Sequence, residues 1–358
     1  MNPPRAIKVH VIGAGLVGTS VALKLSSIGV DVSVEDSSPQ NAELARDLIQ
    51  NQGIPTNPDI VLVAVSPDNA GEACSEALSR FLQSIVVDVT SIKAKVIAHV
   101  AELSDDLGRF VPSHPIAGRE VGGPESAQGD LFEGRAWIIT PLKENPSEVL
   151  QKVEELIRIL GAVPHRMDPR AHDELFAKIS HLPQILSTLM ASALTDGGEG
   201  VALAGQGLRD VTRLAESNPR LWSQIILLNG PEIQRAIEDF RNRLTKLEEA
   251  IASKDSHSLE QIFDAGRSGR KLISGKHGGA ARDYLYFRIV IEDKPGVLGQ
   301  LFALCGEHGV NVEDLEIEHT PNQETGLITI AVSPHQAQLF SSVLLQHDWR
   351  FHQGGPTR

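Results

Sequence analysis

Several groups of residues in this 358-residue sequence have types and spacings suited to redox and acid–base chemistry. The first is Gly13-Ala14-Gly15-Leu16-Val17-Gly18, a G-x-G-x-x-G run. In such a run the first glycine permits a tight turn and the second lets backbone N–H groups reach a pyrophosphate. The third lets the next helix pack closely on the strand. Leu16 and Val17 open that helix, whose free N–H groups and dipole favour an anion. Context carries the reading, because glycine is common. A strand-like run, Ala6–Ile12, precedes the glycines, a helical pattern, Leu16–Ile28, follows them, and the acidic pair Glu35-Asp36 ends the next strand. A carboxylate there accepts hydrogen bonds from ribose hydroxyls and repels a 2′-phosphate, which favours NAD over NADP. Asp36 is preferred to Glu35 for the contact, the other being a solvated loop charge. Ser66, just past the apolar run Ile60–Val65, completes the cofactor set.

The second group carries proton and carboxylate chemistry. Ser91, in Asp88-Val89-Thr90-Ser91-Ile92-Lys93, follows a strand, and ligands of such sheets bind outside the carboxyl ends of the strands. It reads either as a contact to nicotinamide or substrate or as the N-cap of a helix over 92–103. His114 lies in a Pro/Gly-rich loop, Pro112 to Gly123, where a histidine can take a hydroxyl proton near neutral pH or simply bond loop backbone. No G-x-S-x-G elbow is present to make Ser113 a nucleophile. His165, His172 and His181 are spaced by seven and nine residues, not as an i,i+4 metal pair, so no metal is expected. His181, followed by Pro183, reads as lining a cleft at a helix kink. Arg209 and Arg213 share a helix face and suit a dicarboxylate; the alternative is a surface ion-pair array with Asp210 and Glu216. Trp222 either walls a substrate ring or fills core.

The elements that must position these groups follow from hydrophobic rhythm. Short apolar runs alternate with helical stretches through residue 167, which predicts a parallel sheet with helices on both faces. Helical periodicity takes over at Asp168-Pro169 and includes an amphipathic stretch, Pro231–Lys254. A Gly/Ser/basic run from Gly266 to Gly279 reads as a linker. Beyond it the order is strand (284–291), helix (296–307), strand (310–317), strand (326–332), helix (336–345) and a short last strand near 349–351, a ferredoxin-like split motif. Lys plus Arg total 33 against 46 for Asp plus Glu, a formal charge of −13 that disfavours nucleic acid. No apolar run spans a bilayer, the N-terminal Met1-Asn2-Pro3-Pro4-Arg5 lacks a signal-peptide core, and the two cysteines form no disulfide framework. A soluble, cytoplasmic protein is expected.

Taken in order, these motifs resemble the prephenate/arogenate dehydrogenase family of tyrosine biosynthesis over about residues 7–275. Asp293-Lys294-Pro295-Gly296-Val297-Leu298 with Gly309-Val310-Asn311-Val312 resembles an ACT regulatory domain. The resemblance implies an α/β Rossmann domain with a parallel sheet (1–167), an all-α dimerisation domain (168–275) and a C-terminal ferredoxin-like βαββαβ ACT domain (284–358). It implies NAD-dependent oxidative decarboxylation of prephenate, or of arogenate, by a homodimer, with tyrosine as a feedback ligand. His114 would accept the hydrogen bond of the substrate C4 hydroxyl, with Ser91 supporting it. Arg213, with Arg209 beside it, would bind a carboxylate; Glu120 would stand near the entrance, and His181 and Gln184 would line the substrate site. Many family members have a second histidine at the position of Gln184 and a small residue at that of Arg119. Glutamine carries neither proton nor charge, so the choice between a keto and an amino side chain stays open. A non-catalytic sensor of the same fold is the rival from another class.

Overall fold

The computed structural model describes residues 7–51, 53, 57–118, 122–273, 284–292, 294–319 and 325–354. The chain divides into two bodies, residues 1–249 and 250–358.

The first body is built on strands β1 (Lys8–Ile12), β2 (Asp31–Glu35), β3 (Ile60–Val63), β4 (Ile85–Asp88), β5 (Phe110–Pro115), β6 (Ala136–Ile139) and β7 (Val163–Arg166), in the order β2-β1-β3-β4-β5-β6-β7. Every residue of β3 and β4 is buried, as expected of strands covered on both faces. The covering helices are α1 (Leu16–Ser27), α2 (Pro39–Ile49), α3 (Ala70–Arg80), α4 (Ala94–Leu103) and α5 (Ser147–Ile159). The two-residue period of the strands sorts their side chains between two cores. Val9, Val11, Val32 and Val34 join Val21, Leu25, Val153 and Leu156 in one, and Val61 and Val63 meet Cys74, Leu78, Val96 and Val100 in the other. The sheet is parallel from β2 through β5, as the sequence rhythm predicts; β6 then pairs antiparallel with β5, and β7 runs with β6.

Helices α6 (Pro169–Phe176), α7 (Leu182–Ser192), α8 (Gln206–Thr212), α9 (Pro219–Leu228) and α10 (Gly230–Ser253) follow. Asp168 starts α6 by accepting from Arg170 N at 2.9 Å and Ala171 N at 3.1 Å, with proline at the first helical position. A π-turn, Ala177–His181, joins α6 to α7, next to Pro183, which has no N–H to give the helix ladder.

The second body takes in the last residues of α10 and then α11 (Ser256–Lys271), which carries on through Gly266 and Gly269. The linker read from Gly266 therefore begins too early. Asp255 caps this helix, and Arg267 pairs with Asp264 three residues back, which offsets the helix-weakening glycines. Residues 274–283 lie outside the described residues. Strands β8 (Leu285–Glu292), β9 (Asp314–His319), β10 (Thr325–Val332) and β11 (Phe351–Gly354) form an antiparallel sheet in the order β11-β8-β10-β9. Helices α12 (Val297–Glu307) and α13 (Pro334–Gln346) bury Leu301, Phe340 and Leu344 against Phe287 and Ile330, which completes the ferredoxin-like motif. Among the described residues no helix is long and apolar enough to cross a membrane.

Candidate active site

The glycine turn lies between β1 and α1, beside the end of β3, where the chain leaves the sheet in opposite directions and a crevice opens. Gly13 has φ +104°, and a Cβ there would run into the Ala64 carbonyl. At Gly18 a Cβ would strike the carbonyl of Gly13. Both glycines are thus required by the fold. Gly15 is different: a Cβ there meets nothing within 4 Å, so no packing within the protein calls for its bare backbone. No side chain caps α1, so the N–H groups that open the helix beside Gly15 are not taken up by a cap. An uncapped helix start beside room that the protein does not fill fits a dinucleotide pyrophosphate.

The acidic pair divides its work. Asp36 accepts from Ala14 N at 2.6 Å and from Ser38 N at 2.7 Å, which ties the end of β2 to the glycine turn. Glu35 is not a solvated loop charge. It forms a two-point pair with Arg80, at 2.7 and 3.1 Å, and faces His10 Nε2 at 3.4 Å. The adjacent His10 imidazole, with the hydrogen bonds from Arg80, holds the Glu35 carboxyl down to about 2 against the opposing effect of burial. Of the two, Asp36 is the carboxylate at the turn. Ser66 follows β3, where its Oγ accepts from Asn69 Nδ2 at 3.1 Å.

His114 stands on a strand, not in a loop: β5 continues to Pro115, pairing with β4 up to Pro112 and with β6 from Ser113. Pro112 closes the pairing with β4 and Pro115 closes the strand, so each residue without an N–H stands at the end of a ladder. His114 Nδ1 lies 3.0 Å from His172 Nε2, and its ring packs on Phe176 with centroids 4.9 Å apart. His172 Nδ1 in turn lies 2.8 Å from Asp173 Oδ1. Burial drives the His114 imidazole well below its ordinary range, helped by His172, Lys93 and His181. Burial also lowers His172, although its bond to Asp173 pulls the other way.

Beneath His114 is a buried ion pair that sequence reading passes over. Lys93 and Asp88 are both 0 % exposed and in direct contact. Lys93 Nζ also donates to the Ser113 carbonyl at 2.5 Å, and Ser113 Oγ donates to the Asp88 carbonyl at 2.7 Å while accepting from Trp137 Nε1 at 2.9 Å. These bonds lock the β4 end to the strand that carries His114. Ser91 lies in the same β4–α4 connection but is not a helix cap, because α4 starts only at Ala94. The capping role falls to Asp173, distant in sequence, whose carboxylate accepts from Lys93 N at 3.0 Å and Ala94 N at 2.8 Å.

His181 ends the π-turn, 1 % exposed, with Nδ1 3.2 Å from Asn229 Nδ2. Asn229 also donates to the Asp173 carbonyl at 3.0 Å, so His181 belongs to the same network. Burial carries its imidazole down to about 4. Gln184, one turn on, is buried, and its amide is held within the protein. It donates to the Leu214 carbonyl at 2.6 Å and accepts from Ser217 Oγ at 3.3 Å, and so fastens the 3-10 turn Arg213–Glu216. Arg213 and Arg209 are both exposed, on that turn and on α8. Glu120, with Arg119, lies outside the described residues. The sequence offers His172 only as a rejected metal ligand, and it gives Asp173, Lys93 and Asp88 no role of their own. Their one signal was charge, at a strand end and in a His-Asp dipeptide that α6 buries.

Residues 20–165 match the prephenate dehydrogenase nucleotide-binding domain, 168–265 the prephenate dehydrogenase dimerization domain and 286–340 the ACT domain. A probable prephenate dehydrogenase, NovF, of Streptomyces niveus is 29 % identical over 354 residues, covering 95 % of this chain and 98 % of that protein. A cyclohexadienyl dehydrogenase of Zymomonas mobilis is 30 % identical over 290 residues, 75 % of this chain and 97 % of that protein. The crystal structure of prephenate dehydrogenase from Aquifex aeolicus, in complex with hydroxyphenyl propionate and NAD+, superposes with a TM-score of 0.70 at 27 % identity, over 76 % of this chain and all of that one. With a glycine turn open to a pyrophosphate, a neutral histidine held at the same edge of the sheet, and these matches running through both bodies, the chain belongs to the prephenate dehydrogenase family.

Proposed function

We propose that this chain is an NAD-dependent prephenate dehydrogenase, which converts prephenate to 4-hydroxyphenylpyruvate and carbon dioxide. The observation that carries the reading is His114, neutral and tethered through Nδ1, at the carboxyl edge of the sheet whose β1 turn leaves the space at Gly15 open. Gly13, Gly15, Leu16, Val17, Gly18 and Ser66 would hold NAD, with Asp36 at the ribose and Glu35 behind it. The cofactor, when bound, supplies the acceptor for the hydride that leaves C4.

The protein's own tasks are then orientation and proton handling. His114 Nε2 takes the C4 hydroxyl proton as that carbon becomes a carbonyl. Loss of carbon dioxide from C1 sends an electron pair into the ring, and the same proton returns to the oxygen as the ring becomes a phenol. No proton is consumed overall, which suits a base that is neutral before and after. Arg213, with Arg209, clamps the substrate carboxylates; Gln184 holds the Arg213 turn in place rather than touching a side-chain charge. Ser91 contacts substrate and cofactor, His181 lines the site, and Glu120 guards its entrance.

The proposed division is a dinucleotide domain over 1–167, a substrate and dimerisation domain over 168–275 and a regulatory domain over 284–358. A homodimer with tyrosine as feedback ligand follows from the same reading, at work in the cytoplasm, where two free, buried cysteines are at home. One assay tests the whole. Purified protein receives prephenate or arogenate, each with NAD or NADP, with and without tyrosine, while nicotinamide reduction is followed. Reduction of NAD with prephenate, slowed by tyrosine, is expected; activity confined to arogenate would overturn the substrate.

A further inference from the structure

We propose that Asp173 is a positioning residue which, acting through His172, fixes His114 in the tautomer that leaves Nε2 bare. The inference deepens the proposed function, because it supplies the base which that reaction needs, but its geometry stands by itself. Two imidazole nitrogens 3.0 Å apart, one on His114 and one on His172, hold one proton between them. Which ring owns it is decided at the far side of His172. There Nδ1 meets a carboxylate oxygen at 2.8 Å, and a carboxylate can only accept. His172 Nδ1 therefore carries a proton. His172 is fully buried and held neutral, so its Nε2 has a lone pair and accepts. His114 Nδ1 must donate, and a neutral His114 then has no proton left for Nε2.

The carboxylate is itself held in place. Asp173 Oδ1 also accepts from Lys93 N and Oδ2 from Ala94 N, so both oxygens are anchored on the first turn of α4. The Asp173 carbonyl accepts from Asn229 Nδ2, which fixes the residue from the α9–α10 side. His114 packs on Phe176, and His172 stacks on the same ring with centroids 4.5 Å apart, so neither imidazole is free to turn over. Lys93 Nζ and His181 are the other titratable groups acting on His114, and both oppose a second proton on it. When Nε2 takes the substrate proton, the Nδ1–H bond to His172 strengthens toward the Asp173 carboxylate, so the transient charge has a partner. The same carboxylate caps α4, so a helix of the nucleotide domain and the tautomer of the base depend on one group.

The test reads protons directly. The full chain is labelled with 15N in its 13 histidines, and the His114 ring signals are assigned by their loss in His114→Asn. In the unmodified protein near neutral pH, Nδ1 should report a bound proton and Nε2 a bare lone pair. His172→Leu leaves the Asp173 cap on α4 intact and removes only the acceptor, so a population with the proton on Nε2 should appear. Turnover at saturating prephenate should fall by at least about 10²-fold, the lower range for a positioned base. Asp173→Ala should give the same ring signals together with a lower melting temperature. A proton on Nε2 in the unmodified protein, or unchanged His114 signals in His172→Leu, overturns the proposal. The ring signals need no turnover, so failure of the relay is separable from failure of prephenate as substrate.

Discussion

Replacing Lys93 by methionine keeps most of the side-chain length and removes the charge. The Asp88 carboxylate, 0 % exposed, is then left with the Thr90 N–H at 2.9 Å and no cation, and the Ser113 carbonyl loses its donor. Breaking a buried pair from one side costs about 3–5 kcal/mol, because the remaining charge stays out of water. At roughly 2–4 °C per kcal/mol for a body of this size, the melting temperature should drop by about 6–20 °C. The double variant Lys93→Met/Asp88→Asn removes the stranded charge and should recover roughly 1–3 kcal/mol relative to the single one. Urea and thermal unfolding followed by circular dichroism measure both. A single variant within about 1 kcal/mol of the parent, or a double variant no more stable than the single, would refute the view that a desolvated ion pair locks β4 to β5. The same substitution removes one of the charges that depress His114, so in any surviving enzyme the acid limb of kcat/KM should move to higher pH.

Gly15→Ala should leave the unfolding free energy within about 1 kcal/mol of the parent while weakening NAD binding, because its Cβ projects into open space. Gly18→Ala should unfold the nucleotide domain more easily, since its Cβ strikes the Gly13 carbonyl; equal stability losses in the two would contradict the division between them. Glu35, with its carboxyl held down to about 2 from 4.5, stabilises the fold fully above pH 4.5. That contribution is lost as pH falls toward 2, so Glu35→Gln should lose stability at neutral pH and show a flatter stability profile over that window by acid titration. Arg213→Ala should raise KM for prephenate strongly with little change in kcat, and an unchanged KM would remove Arg213 from the carboxylate clamp.

What the sequence displayed well was local. Gly13 and Gly18 announce a turn because their reasons lie within a few ångströms of backbone, and Asp168-Pro169 announces a helix because cap and first turn are adjacent. What it hid was long-range. Asp173 caps a helix that begins 79 residues earlier, and no local pattern marks that contact. Lys93 looks like an ordinary helix-start lysine until β4, β5 and α6 close around it. His114 reads as a loop residue because Pro112 and Pro115 look like breakers; Pro112 stands where the strand changes partner and Pro115 where it ends. Gly266 and Gly269 misled in the opposite sense, since a cap and an ion pair carry α11 through them. Glu35 looked solvated because Arg80, 45 residues on, is its partner.

The central claim is that His114 is the base for oxidation of prephenate. Its most direct test compares steady-state NAD reduction by the parent and by His114→Asn, with prephenate affinity measured separately by equilibrium binding. Asparagine can still hydrogen-bond but cannot take a proton. Turnover should fall by about 10²–10⁴-fold with affinity nearly unchanged. Near-normal turnover in His114→Asn would contradict the account.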